Sequence, residues 1–205
     1  MNDLIPLNTK GKPSDLEFSI TLASRAAATD TYRRAVKRML NPPIWHELAG
    51  WATAHFSLVD QDGTELHRLT KKGDYLRIDI PGPGPAAGDG YDWVKVDMLE
   101  DHSETDAEDE WMGMKVHPST GPGKVSTEPA HFFHSDASST FIIERNGDTV
   151  TAFYHGRNEV PNTATEKISD NIRNAIVAAG AMMSLSEAQW SALSKGFLAD
   201  EIGGN

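Results

Sequence analysis

Phe141-Ile142-Ile143-Glu144-Arg145-Asn146-Gly147-Asp148-Thr149-Val150-Thr151-Ala152-Phe153-Tyr154-His155 reads as two short strands joined at Asn146-Gly147. Both flanks are rich in β-branched and aromatic residues, and Asn-Gly readily adopts the positive φ values of a type I′ turn. The stretch therefore predicts a β-hairpin, and a hairpin commits the surrounding sheet to antiparallel pairing.

Working outward, the same period-2 signal recurs. Leu16, Phe18, Ile20 and Leu22 alternate with Glu17, Ser19 and Thr21, and Ala54, Phe56 and Leu58 alternate with His55 and Ser57. Asp60-Gln61-Asp62-Gly63 supplies turn residues before Thr64 to Leu69, which predicts another hairpin. Lys71-Lys72-Gly73-Asp74 leads into Tyr75 to Ile80, with Leu76, Ile78 and Ile80 on one face. Pro81-Gly82-Pro83-Gly84-Pro85 must be a loop, because proline has no donor for a ladder. Tyr91 to Met98 then resumes, with Val94, Val96 and Met98 opposite Tyr91, Trp93 and Lys95, and Met112 to Val116 is a further strand.

The period changes to helical at both ends. Ala28, Tyr32, Ala35, Val36 and Met39 fall three or four apart within residues 25–40, ending at Asn41-Pro42-Pro43, and Ile44 to Trp51 suits a short helical turn. Thr165, Ile168, Ile172, Ala175, Ile176 and Ala179 form an apolar stripe closed near Gly180. Ser184 with Glu187 is a capping box that opens a second C-terminal helix. The fold class is α+β: a mostly antiparallel sheet with one N-terminal helix and two C-terminal helices. Residues 1–14, with Pro6, Gly11 and Pro13 among polar residues, predict a flexible arm, and 15–202 a single domain with a β-rich centre at 53–156 and helices over 163–200.

Composition bounds the function. There is no cysteine, which excludes disulfides, thiolate nucleophiles and sulfur-ligated zinc. That fits a cytoplasmic protein, as does an opening Met1-Asn2-Asp3 with acid where an export signal needs positive charge. No apolar run approaches the roughly eighteen residues of a membrane span. The net charge is −11, and residues 51–110 hold fifteen acids against five Lys or Arg, so the field repels phosphate backbones and disfavours nucleic acid. A protein partner, especially a basic one, or a divalent cation is the natural charged companion. Eight acids and no Lys or Arg between Asp97 and Glu110 predict a solvated, mobile loop.

Lys72-Gly73-Asp74-Tyr75-Leu76-Arg77-Ile78 and Gly90-Tyr91-Asp92-Trp93-Val94-Lys95-Val96 resemble part of the bacterial SH3-like barrel pattern. There a Lys-Gly-Asp turn leads to one strand and a Gly-Trp-hydrophobic-Lys-Val strand pairs with it. The match covers residues 70–97, with Tyr91 and Asp92 intruding between Gly90 and Trp93. The resemblance implies a small recognition barrel and identifies no catalytic residue.

Standard catalytic motifs each lack a required residue. His46-Glu47 would need a second histidine where Gly50 stands, and Asp101 would open an EF-hand only with glycine in place of Asp106. Gly121-Pro122-Gly123-Lys124 is followed by Val125 rather than a magnesium-binding hydroxyl, and neither a Gly-x-Gly-x-x-Gly nor a Gly-x-Ser-x-Gly sequence occurs. No organic cofactor is therefore indicated. His131-Phe132-Phe133-His134 with Asp136 is the most metal-like cluster, with His117 and His155 as further ligands from neighbouring strands. Arg33, Arg34, Lys37 and Arg38 form a basic stripe that suits either an acidic partner or a solvated face.

Three functions stay open. The first is a non-catalytic binding or adaptor protein that presents Tyr91, Trp93, Lys95 and Asp97 to another protein. The second is a metal-assisted hydrolase built on the His/Asp cluster. The third is a small-molecule pocket between the sheet and the helix of residues 163–180, in the manner of helix-grip proteins.

Overall fold

A computed structural model describes residues 3–50, 54–80, 88–104, 107–124, 129–161 and 187–200. Its strands are β1 (Ser14–Thr21), β2 (His55–Val59), β3 (Tyr75–Asp79), β4 (Asp92–His102), β5 (Asp109–Pro118), β6 (Ser138–Asn146) and β7 (Thr149–Arg157). They form one antiparallel sheet in the order β1-β7-β6-β5-β4-β3-β2. Among the described residues β1 pairs only with β7 and β2 only with β3, so the sheet is open and does not close into a barrel. Helices fill the inner face between those two edges. The β3–β4 pairing that the SH3-like resemblance implies is present, with Leu76 opposite Val94, but inside a seven-stranded sheet.

The hairpin at 141–155 is β6–β7, shifted by one residue from the expected turn. Asn146 pairs with Thr149, so the two loop residues are Gly147 and Asp148. Gly147 has φ of 56° and Asp148 is not among the residues with positive φ, the pattern of a type II′ turn with glycine first.

The inner face carries the main core. Phe56 and Leu58 of β2, Leu76 and Ile78 of β3, Val94 and Val96 of β4, Met112, Met114 and Val116 of β5, Phe141 and Ile143 of β6, and Val150, Ala152 and Tyr154 of β7 are all buried there. Helix α1 (Arg25–Met39) starts at Ser24, whose side chain accepts from the Ala27 N–H, and lays Ala28, Tyr32, Ala35 and Met39 across β6 and β7. A 3-10 turn (Pro42–Ile44) and α2 (Trp45–Ala49) follow against β2. A helix over residues 187–198 adds Leu193, Phe197 and Leu198. Arg38, expected on an exposed basic stripe, is buried: its guanidinium donates to the carbonyls of Gly196, Phe197 and Ala199. Those are the orphan carbonyls at that helix's end, which a cation satisfies well. The expected helix at 163–180 lies outside the described residues. No helix among the described residues is long and apolar enough to cross a membrane.

Three local expectations along the sheet change. Thr64 to Leu69 is not a strand; it makes only the Val59–Glu65 bridge, because Arg68 turns back to grip the Asp74 carboxylate through two nitrogens at 2.6 and 2.9 Å. The acidic run is mostly sheet, since β4 continues to His102 and β5 begins at Asp109. Its connection is held by Arg145, which donates to the carbonyls of Ala107 and Glu108 and pairs with the buried Glu110. A bulge at Asp97, between Val96 opposite Val116 and Met98 opposite Lys115, reverses the alternation, so Leu99 rather than Met98 joins the core.

The N-terminal arm is not free. Leu4 is fully buried on the outer face, where Gly113 leaves no room for a Cβ beside it, and the Leu4 carbonyl accepts from Thr140 Oγ1. Asn158, at φ 54°, takes the N–H groups of Thr9 and Lys10 on its side-chain oxygen and donates to the Leu7 carbonyl. An arm with one apolar anchor and a polar clamp reads as flexible in composition, yet both partners lie more than a hundred residues away.

Candidate functional site

Among the described residues, the inner face does not pack shut at the β2–β5 end. A cavity of about 150 Å³ remains there. Its floor is sheet: Phe56, Leu76, Ile78, Val94, Val116 and Phe141. One wall is Trp45 of α2 with Gln189 and Trp190 of the 187–198 helix, and another is the loop bearing His131, Phe132 and Phe133. Trp45 is the hub, its ring centroid 5.1 Å from that of Phe56, 5.0 Å from Phe141 and 5.9 Å from Phe197. Trp190 closes on Phe141 edge-on and stacks on Tyr154, both at 5.3 Å.

Polar groups around the cavity are few and mostly engaged. Ser139 Oγ lies 3.2 Å from Tyr154 Oη, which donates to Glu159 Oε1 at 2.8 Å. Burial raises the Glu159 carboxyl above the usual range. Gly156 makes that arrangement feasible, because a Cβ there would come within 2.6 Å of the Glu159 carboxylate. His131 Nδ1 accepts from the Phe133 N–H at 3.0 Å, and burial pushes the imidazole down to about 4, so the ring is neutral.

The loop carrying His131 to Phe133 is pinned on both sides. Phe132 donates its N–H to Asp92 Oδ1 at 2.8 Å, His134 donates to the Val160 carbonyl at 3.1 Å, and Phe133 bridges to Pro161. Asp92 is buried, and desolvation raises its carboxyl to about 6 despite the Phe132 hydrogen bond. Its folded pKa thus exceeds the unfolded value of about 4, so its contribution to stability is full below that value and is lost as pH rises through about 6. Asp92→Asn keeps an oxygen for the Phe132 N–H while removing the charge. It is expected to stabilise the fold by up to about 3 kcal/mol at pH 8 and to match the parent near pH 4. Thermal denaturation at the two pH values checks this; an unchanged melting temperature at pH 8 would mean that the charge is not buried at a cost.

The histidine and carboxylate cluster expected as a metal centre does not assemble. His131 lines the cavity, whereas Asp136 is exposed and paired with Lys10. His155 sits on the outer face, 2.5 Å from Asp15, and His117 lies beside Lys95 on β5. Among the described residues no group of three His, Asp or Glu is placed to hold a metal ion. The β-sheet register is the reason: it separates His117 and His155, while the loop directs His131 inward.

The expected docking surface is likewise engaged internally. Trp93 is buried in a small outer-face cluster with Val59 and Ala130, its Nε1 donating to the Gly88 carbonyl at 3.2 Å. Gly88 and Gly121 press on the indole so closely that a Cβ at either would lie 3.1 or 3.2 Å from the ring. Arg77 covers the Tyr91 ring and Lys95 the Tyr75 ring, each at 5.1 Å, and Asp97 pairs with Lys115 at 2.9 Å. Sequence reasoning missed Trp45 and Trp190 as site residues. The available signal was their spacing on two helical segments, each placing an aromatic toward an apolar sheet face.

The class this geometry defines is an open antiparallel sheet with helices on one face and an apolar hollow between them. No protein-family model matches the chain, and no curated protein matches it. Among solved structures, the chain is similar to Ara h 8.0201, at 12% identity over 91% of this chain and 98% of that one, with a TM-score of 0.35. It is also similar to truncated norcoclaurine synthase from Thalictrum flavum, at 13% identity over 93% and 96% of the two chains and a TM-score of 0.36. A protein from Arthrobacter aurescens gives 13% identity over 91% and 87%, with a TM-score of 0.39.

Proposed function

We propose that the chain binds a small, predominantly apolar organic molecule in the cavity between the sheet and its helices. The observation that carries this is the hollow itself. Native interiors are close-packed, and voids larger than a water are few. A hollow of about 150 Å³ lined by apolar side chains keeps apolar surface in contact with water, which an apolar ligand would remove favourably. The pinned loop at 131–134 and the aromatic hub at Trp45 keep the space from collapsing.

The test is a titration with ethylbenzene followed by two-dimensional NMR of the indole N–H groups. Saturable shifts are expected at Trp45 and Trp190, with no change at Trp93, which lies on the opposite face. A rise of a few degrees in melting temperature should accompany binding. Val94→Phe, which fills part of the floor, should weaken it. Uniform or non-saturating shifts at all three indoles would sink the proposal.

A further inference from the structure

We propose that His131 selects, within this cavity, uncharged single-ring aromatic molecules that carry one hydrogen-bond acceptor such as a carbonyl oxygen. This rests on the binding function proposed above and narrows it to a ligand class.

Size sets the first limit. A cavity of about 150 Å³ matches the volume at which an engineered apolar cavity accepts benzene, so one ring with a short substituent fits. Ring edges and faces of Trp45, Phe56, Phe133, Phe141 and Trp190 line it, which favours a flat aromatic guest. Charge sets the second limit. The described lining residues include no Lys, Arg, Asp or Glu, so a carboxylate or ammonium would lose its hydration with no counter-charge in return.

The third limit comes from accounting for donors. Trp45 Nε1 is committed to the Arg38 carbonyl at 3.0 Å, and the Ser139 hydroxyl to Tyr154. His131 differs. Its Nδ1 accepts the Phe133 N–H, so the proton of the neutral ring resides on Nε2, which has no partner among the described residues. Nε2–H is therefore a fixed donor on a half-buried ring that lines the cavity, held by a loop tied to Asp92 and Val160. A guest that supplies an acceptor can take this hydrogen bond, whereas a pure hydrocarbon cannot. Gln189 and the Trp190 indole N–H are the other donors in the lining, and the test separates them from His131.

The experiment compares acetophenone, ethylbenzene and benzoate, which are nearly equal in size, by NMR titration at pH 7. The readout is the ratio of ethylbenzene to acetophenone dissociation constants in the parent and in His131→Phe, a comparison that cancels the difference in hydration between the two probes. The ratio should fall about tenfold in the variant, and benzoate should not bind the parent. In the unmodified protein the His131 ring should show a protonated Nε2 whose resonance moves with acetophenone and not with ethylbenzene. An unchanged ratio, a ratio that collapses in Gln189→Leu instead, tight benzoate binding, or an Nε2 signal indifferent to acetophenone would each overturn the assignment to His131. If ethylbenzene and acetophenone both fail to bind, the cavity-binding function itself fails, a result distinct from those four.

Discussion

Arg145→Ala is expected to destabilise the protein by about 3–5 kcal/mol, since removing one partner of a buried ion pair leaves the other charge without compensation. Arg145 and Glu110 are both buried on the inner face of adjacent strands, with Nε 2.6 Å from Oε1. The guanidinium also donates to the carbonyls of Ala107, Glu108 and Gly147, so it joins the β4–β5 connection to the β6–β7 turn. Replacing both charges, as Arg145→Met with Glu110→Leu, should recover only part of the loss. The isolated charge is gone, but three carbonyls still lack their donor. Urea denaturation of the single and double variants checks this. A single variant within 1 kcal/mol of the parent would mean the pair behaves as a surface contact.

Trp45→Ala should cost a similar amount, about 3–5 kcal/mol, because a large buried aromatic is removed and its space cannot close. The site is unusually interconnected: the ring touches Phe56, Phe141, Trp190 and Phe197, and its Nε1 holds the Arg38 carbonyl. Arg38 in turn caps the 187–198 helix, so the loss reaches an element distant in sequence. Trp45→Phe should keep most of the stability, losing one hydrogen bond of about 1 kcal/mol and some contact area. Under the proposed function, Trp45→Ala should also shift ligand preference toward two-ring molecules such as naphthalene. Calorimetric unfolding together with a naphthalene titration measures both effects.

Where residues near in sequence dictate the backbone, the fold was legible. The β6–β7 hairpin, the apolar faces of β1 and β3, and α1 with its stop at Asn41-Pro42-Pro43 all follow from periodicity and turn chemistry. Elements that depend on distant partners were not. Nothing local to Glu110 announces that Arg145 will neutralise it, so an acid-rich segment reads as solvated although much of it is strand. Nothing around Leu4 announces Gly113, and Trp93 reads as exposed beside Lys95 and Asp97 because the glycines that bury it come from two separate loops. The site was legible in part. The His131-Phe132-Phe133-His134 segment stood out, but the wider cluster does not come together among the described residues, because His117 and His155 sit on the separate strands β5 and β7.

The segment at residues 3–13 has a practical bearing on how the protein should be produced and handled. A chain trimmed to the start of β1 would uncover Gly113 and release Asn158, the neighbour of the glutamate that holds Tyr154. Trimming for convenience would thus loosen the apolar hollow from behind, through the reverse side of its own floor.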